Sequence, residues 1–115
     1  MSTSCKIEFP NGIGTYYIGA SGYPEEIVLI IRSFIQDAQN NAEEKFKNPD
    51  EYWLEELRRI VQEEANAGYY SGVFDGEYRN EIVDFSYRVE EDGSIYFTSE
   101  SHENWKNVTN EDESP

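Results

Sequence analysis

The stretch that decides the fold is SGYPEEIVLIIRSFIQDAQNNA, Ser21 to Ala42. Pro24 has a fixed φ and no N–H, which suits the first turn of a helix, and Glu25 and Glu26 follow at the positive end of the helix dipole. Behind them Ile27, Ile30, Ile31, Phe34, Ile35, Ala38 and Ala42 recur every three or four residues. Val28 and Leu29 widen that stripe into the most hydrophobic run in the chain. A helix this apolar belongs in the middle of a domain, with the remaining elements packed around it.

On its N-terminal side, Cys5, Ile7 and Phe9 alternate with Lys6 and Glu8, the period of a half-buried strand. Asn11-Gly12 is a strong hairpin signal because both residues tolerate positive φ. A two-residue turn there sets Phe9 across from Gly14, Ile7 across from Tyr16 and Cys5 across from Ile18, so turn and apolar pattern agree. Gly19 to Gly22 is a small-residue link into the helix.

On its C-terminal side, Asn48-Pro49-Asp50-Glu51 is a second helix start. Trp53, Leu54, Leu57, Ile60, Val61 and Ala65 form its apolar stripe, and Gly68 is the expected left-handed cap. Arg59 lies one turn after Glu55, so the Arg58-Arg59 pair is largely neutralised within its own helix. Tyr69 to Phe74 is a third strand candidate, with Asp75-Gly76 as its turn. Val83, Phe85, Tyr87 and Val89 then alternate with polar residues, and their partner runs from Ser94 to Glu100. A three-residue Glu91-Asp92-Gly93 loop pairs Val89 with Ile95 and Tyr87 with Phe97, whereas a two-residue loop mixes the faces. The expectation is one α+β domain over 1–108: an antiparallel sheet with two helices packed on one face, in the order ββααβββ. Residues 109–115 read as a disordered acidic tail.

With 115 residues the chain forms a single core. Nine Lys and Arg against 24 Asp and Glu leave a net charge of −15, with 12 acids and only three bases from Asp75 onward. Such a field repels nucleic acid and anionic membranes and favours basic partners. Cys5 is the single cysteine, so no internal disulfide forms and a reducing compartment is expected. The N-terminus lacks the basic and apolar regions of a secretion signal, and Ile27 to Ile31 is too short to span a bilayer. A cytoplasmic location in a host cell follows, and the Asn107-Val108-Thr109 sequon is then a coincidence.

Chemical motifs are scarce. Cys5 sits on an apolar strand face far in sequence from His102, the only histidine, and no spacing fits a zinc or calcium site. The glycines punctuate a hairpin and form no phosphate loop, although Gly19, Ser21, Gly22 and Tyr23 precede a helix start that could receive a small anion. No enzyme, metal or cofactor is expected. The acidic C-terminal half offers a different use. If the apolar strand residues face the helices, carboxylates and tyrosines line the open sheet face and its loops. The candidate partner-binding set is Asp75, Glu77, Glu81, Asp84, Glu90, Glu91, Asp92, Tyr96 and Glu100. Carboxylates set among tyrosines mimic the charge and flat contact area of a polyanion.

Tyr16-Tyr17-Ile18-Gly19-Ala20-Ser21-Gly22-Tyr23-Pro24-Glu25 resembles a segment of small, uncharacterised bacterial and phage proteins, in which an aromatic strand end leads into a Gly-Tyr-Pro-Glu helix start. Gly19 and Ser21 stand where those proteins carry His and Asp, so no site transfers with the likeness. By type, the size and acidity are similar to phage inhibitors of host defence, including DNA mimics and anti-CRISPR proteins. The resulting expectation is a non-enzymatic acidic inhibitor that binds a basic, nucleic-acid-binding surface of a host defence complex, without touching nucleic acid or membrane itself. The rival expectation is a protein that sequesters a nucleotide signal at Gly19 to Tyr23.

Overall fold

A computed structural model describes residues 3–20, 22–71, 73–80, 82–99 and 105–109. The chain forms β1 (Cys5–Phe9), β2 (Gly14–Ile18), α1 (Pro24–Lys45), α2 (Pro49–Ser71), β3 (Gly76–Glu77), β4 (Phe85–Val89), β5 (Ile95–Thr98) and β6 (Lys106–Asn107). The strands make one six-stranded sheet in the order β3-β2-β1-β4-β5-β6. Cys5, Ile7, Phe9, Tyr16, Ile18, Tyr87, Val89 and Ile95 join the buried stripes of α1 and α2 in a single core, which places both helices against the same face.

Both hairpins form in the expected register. Asn11 and Gly12 take φ of 60° and 73°, and Phe9 pairs with Gly14, Ile7 with Tyr16 and Cys5 with Ile18. In the second hairpin Gly93 takes φ of 89°, while Val89 pairs with Ile95 and Tyr87 with Phe97. The sheet itself differs from the expected antiparallel one, because β1 and β4 run parallel, with Ile7 beside Tyr87 and Glu8 beside Arg88. It is a mixed sheet, and the order is ββααββββ. The strand expected from Tyr69 to Phe74 does not form. Helix α2 runs through Gly68 to Ser71, and the third strand is Gly76–Glu77. The β-propensity of Tyr69 and Tyr70 is a weak local preference, overridden here by continuing the helical hydrogen-bond ladder. Beyond the helix, Phe74 plugs the core, stacked on Tyr16 at 4.8 Å and edge-on to Phe9 at 6.0 Å. Thr109 belongs to the folded body, since its hydroxyl accepts from Ile95 N at 2.8 Å. The rest of the expected tail, from 110 on, lies outside the described residues, as does His102. Among the described residues no helix is long and apolar enough to cross a membrane.

Two local arrangements lock the layers. Tyr87, fully buried, donates its hydroxyl proton to Gly22 O at 2.8 Å, which ties the sheet centre to the entry of α1. Gly22 is the residue required there: a Cβ would lie 3.0 Å from Cys5 Cβ, Ser4 C and Thr3 O. Between the helices, buried Glu56 accepts from Lys45 Nζ at 2.9 Å and lies 3.3 Å from Arg59 Nη2. The hydrogen bond from Lys45, aided by Arg59 and opposed by burial, holds the Glu56 carboxyl below its ordinary value of 4.5.

Gly22→Ala should lower the unfolding free energy by about 1–3 kcal/mol through forced backbone contact, and Tyr87→Phe by about 1–2 kcal/mol through an unpaired Gly22 carbonyl, both read by urea denaturation. Glu56 contributes stability above its unfolded pKa, and that contribution is lost as pH falls through the lower folded value. The stability gap between the wild type and Glu56→Gln should therefore be widest at neutral pH and close as pH drops below 4.5.

Candidate functional site

Alternation along the strands fixes what the helix-free side of the sheet presents. Lys6 and Glu8 come from β1, Thr15 and Tyr17 from β2, Ser86 and Arg88 from β4, and Tyr96 and Thr98 from β5. The register sets them in rows. Tyr17, Lys6, Ser86 and Thr98 form one; Thr15, Glu8, Arg88, Tyr96 and Asn107 form the next. Each cation is matched to rings: Lys6 Nζ lies 4.6 Å from the Tyr78 ring centre, and Arg88 Cζ lies 4.6 Å from Trp105 and 5.3 Å from Tyr96. Such contacts contribute about 0.5–2 kcal/mol, more as the cation is desolvated. Arg88 Nε also lies 2.7 Å from Glu90 Oε1, as an ion contact without an aligned hydrogen bond. Ser86 and Thr98, neighbours in the register, are almost completely buried, with 0% and 2% exposure. The helix-free side thus carries rings and both signs of charge rather than an unbroken carboxylate array, and it is closed over Ser86 and Thr98.

The carboxylates anticipated as a partner surface fall into separate places. Asp75 and Glu77 stand at the β3 edge, with β2 and β1 between them and β4. Asp75 is engaged by the fold, its Oδ2 accepting from Gly19 N. Asp84 Oδ2 accepts from Ser4 N at 3.0 Å, closing the start of the β1–β4 pair. Glu90 meets Arg88, and Asp92 Oδ1 accepts from Ser94 N at 2.9 Å inside the β4–β5 turn. Hydrogen bonds from Ser94 hold the Asp92 carboxyl below the usual range. Glu91 and Asp92 are exposed, and Tyr96 lies on the open face beside Arg88. Glu81 and Glu100 lie outside the described residues.

The turns of the two hairpins converge where β1 and β4 end. Glu8, Pro10, Asn11, Arg88, Glu90, Glu91, Asp92 and Tyr96 there line an open groove of about 680 Å³. Four carboxylates and one arginine, itself held by Glu90, make this groove strongly acidic. Glu8 was missed by sequence reasoning, although the alternation of β1 marks it as the last polar residue of that strand before the Asn11-Gly12 turn.

The alternative ligand segment is largely taken up by the fold. Gly19 N donates to Asp75, Gly22 N donates to Thr3 O, and Gly22 O accepts from Tyr87. Tyr23 is 45% exposed, but its carbonyl accepts from Glu26 N and Ile27 N, with Glu25 and Glu26 adding negative charge. Ser21 lies outside the described residues. Cys5 is fully buried, and burial, reinforced by the charge of Asp75, pushes its thiol up to about 12, so it stays protonated and unreactive at neutral pH. Among the described residues no group of three or more His, Cys, Asp and Glu side chains could hold a metal ion. The chain matches no protein-family profile, no curated protein and no solved structure.

Structural and free carboxylates should separate on substitution. Asp75→Ala, which strips the acceptor from Gly19 N, should cost about 1–2 kcal/mol in urea denaturation, while Glu91→Ala should leave the midpoint unchanged.

Proposed function

We propose that this chain is a non-enzymatic inhibitor, of the phage-encoded anti-CRISPR or anti-restriction type, that occupies a basic nucleic-acid-binding surface of a host defence complex. The observation that carries the reading is the acidic groove at the hairpin ends, where Glu8, Glu90, Glu91 and Asp92 line an open space of about 680 Å³ whose charge suits arginine or lysine side chains of a partner. Long-range attraction supports it: the chain carries −15, and its two helices alone hold eleven acids against four bases. A field of that size raises the encounter rate with a cationic cleft and turns away nucleic acid competing for the same molecule. Tyr96 and the Asn11 turn add flat, low-entropy contact area beside the charges.

The engaged carboxylates fit this reading as well. Asp92 is fixed by its turn and Glu90 by Arg88, so two of the groove's negative charges are held in place before a partner arrives. The nucleotide-sequestering alternative has less to draw on, because the amides of Gly19 and Gly22 are already donated within the chain.

Immobilised protein, exposed to lysate of a bacterial host at low ionic strength, should capture a nucleic-acid-binding protein that high salt or added duplex DNA displaces. The variant carrying Glu90→Lys, Glu91→Lys and Asp92→Lys should lose that capture. Equal capture by the variant, or capture of nothing that binds nucleic acid, would remove the proposal.

A further inference from the structure

Taking the acidic groove as the partner site, we propose that the partner enters it as an extended chain segment, cationic at both ends and neutral between them. The segment crosses the Asp92-Gly93 turn, from the groove to the start of α2. Three hollows at this end of the molecule follow one another. Asp92 borders the groove of about 680 Å³ and also a second hollow, of about 370 Å³, between α1 and the turn. Gln39 borders that hollow and a third, of about 190 Å³, which Glu43, Pro49, Asp50 and Trp53 complete. Each neighbouring pair shares a wall, and the run passes over a single turn.

The hollows adjoin because the second hairpin turn lies against both helices. A Cβ placed on Gly93 would stand 3.7 Å from Gln39 Nε2 on α1 and 3.9 Å from Trp53 Cη2 on α2. The turn is also closed on itself. Gly93 N donates to Glu90 O at 3.0 Å, and Ser94 N donates to Asp92 Oδ1 at 2.9 Å. The ridge that the segment crosses is therefore in place before a partner arrives, which lowers the ordering cost of binding.

Charge along the run sets the pattern of the occupant. Glu8, Glu90, Glu91 and Asp92 stand at one end, and exposed Glu43 and Asp50 stand at the other. Between them lie Arg32, whose Nε donates to Thr109 O at 3.0 Å, and the exposed carboxamides of Gln36 and Gln39. These three line one side of α1 because they are spaced by four and three residues. An unbroken basic tract would meet the Arg32 guanidinium with like charge. A neutral stretch of peptide instead exchanges hydrogen bonds with the two carboxamides, each of which both donates and accepts. A hollow of about 370 Å³ is about 7 Å across if taken as a cube, so a spacer of about three or four extended residues reaches from one acidic end to the other.

Fluorescence anisotropy of labelled synthetic peptides, titrated with the full chain at low ionic strength, tests this. The probes are Arg-Arg-Gly-Ser-Gly-Ser, with cations at one end, and Arg-Arg-Gly-Ser-Gly-Ser-Arg-Arg, with cations at both. The second should bind at least about tenfold more tightly, because the spacer turns its second contact into an intramolecular one. Glu43→Gln combined with Asp50→Asn should weaken the second peptide at least about fivefold and leave the first unchanged. Glu25→Gln combined with Glu26→Gln removes the same charge at the other end of α1 and should change neither by more than about twofold. Circular dichroism confirms that each variant is folded. Equal affinity for the two peptides overturns the proposal, as does an equal loss from the two pairs of substitutions, which would mean that only the overall field is sensed. Either result leaves the groove standing as a cation site. If neither peptide binds the wild type, the groove reading falls together with the proposal.

Discussion

The pairing of β1 with β4 governs the rest of the molecule. Each of the two hairpins is self-contained, a local turn with alternating side chains, and neither would be stable alone in water. Their union along a parallel seam, with Cys5 beside Phe85 and Ile7 beside Tyr87, creates a continuous floor on which both helices can rest. The seam is reinforced at its start, where Ser4 O accepts from the amides of Asp84 and Phe85 and Asp84 returns a carboxylate to Ser4 N. The same seam puts a carboxylate next to a guanidinium on the exposed side, so the chemistry of the open face follows from the topology of the buried one.

Acidity in this chain has more than one physical role. Asp75, Asp84 and Asp92 accept hydrogen bonds from backbone amides and so fix the connections around β2, β4 and the second turn. Glu56 on α2 ties that helix to α1 through Lys45 and is braced within its own helix by Arg59. Acids at the helix starts, Glu25, Glu26, Asp50 and Glu51, favour the positive end of each dipole. Negative charge that remains exposed at the hairpin ends is carried by turns that the fold itself fixes, through Asp92 to Ser94 and Glu90 to Arg88.

Elements whose signals are local were legible in the sequence. The Pro24 and Pro49 helix starts, the Asn11-Gly12 turn and the Glu91-Asp92-Gly93 loop depend on residues within a few positions of one another, and their registers follow from alternation. What joins them depends on contacts across long separations. Cys5 and Phe85 are 80 residues apart, and nothing in either strand's pattern says which way it runs beside the other. The helix running past Gly68, and the two-residue strands β3 and β6, likewise reflect where the chain must travel rather than what its residues prefer. The candidate surface was legible in part: Glu90, Glu91, Asp92 and Tyr96 do gather, because one hairpin carries them. Glu8, Lys6, Tyr78 and Trp105 joined the picture only through the parallel seam and the β5–β6 pairing. In the sequence Asp75 and Asp84 look like surface charge, since their amide partners Gly19 and Ser4 lie 56 and 80 residues away.

The direction of that seam can be measured directly by nuclear magnetic resonance on the labelled chain. Parallel and antiparallel pairs place backbone protons differently, and only antiparallel neighbours bring opposing Cα hydrogens into close contact. Strong Cα–H to Cα–H cross-peaks are predicted within β1–β2 and within β4–β5, with none between β1 and β4, where the amide and Cα protons of Ile7 and Tyr87 should instead show the staggered parallel pattern. Close Cα–H contacts between β1 and β4, or an absence of any contact between Ile7 and Tyr87, would contradict the mixed sheet and the surface built on it.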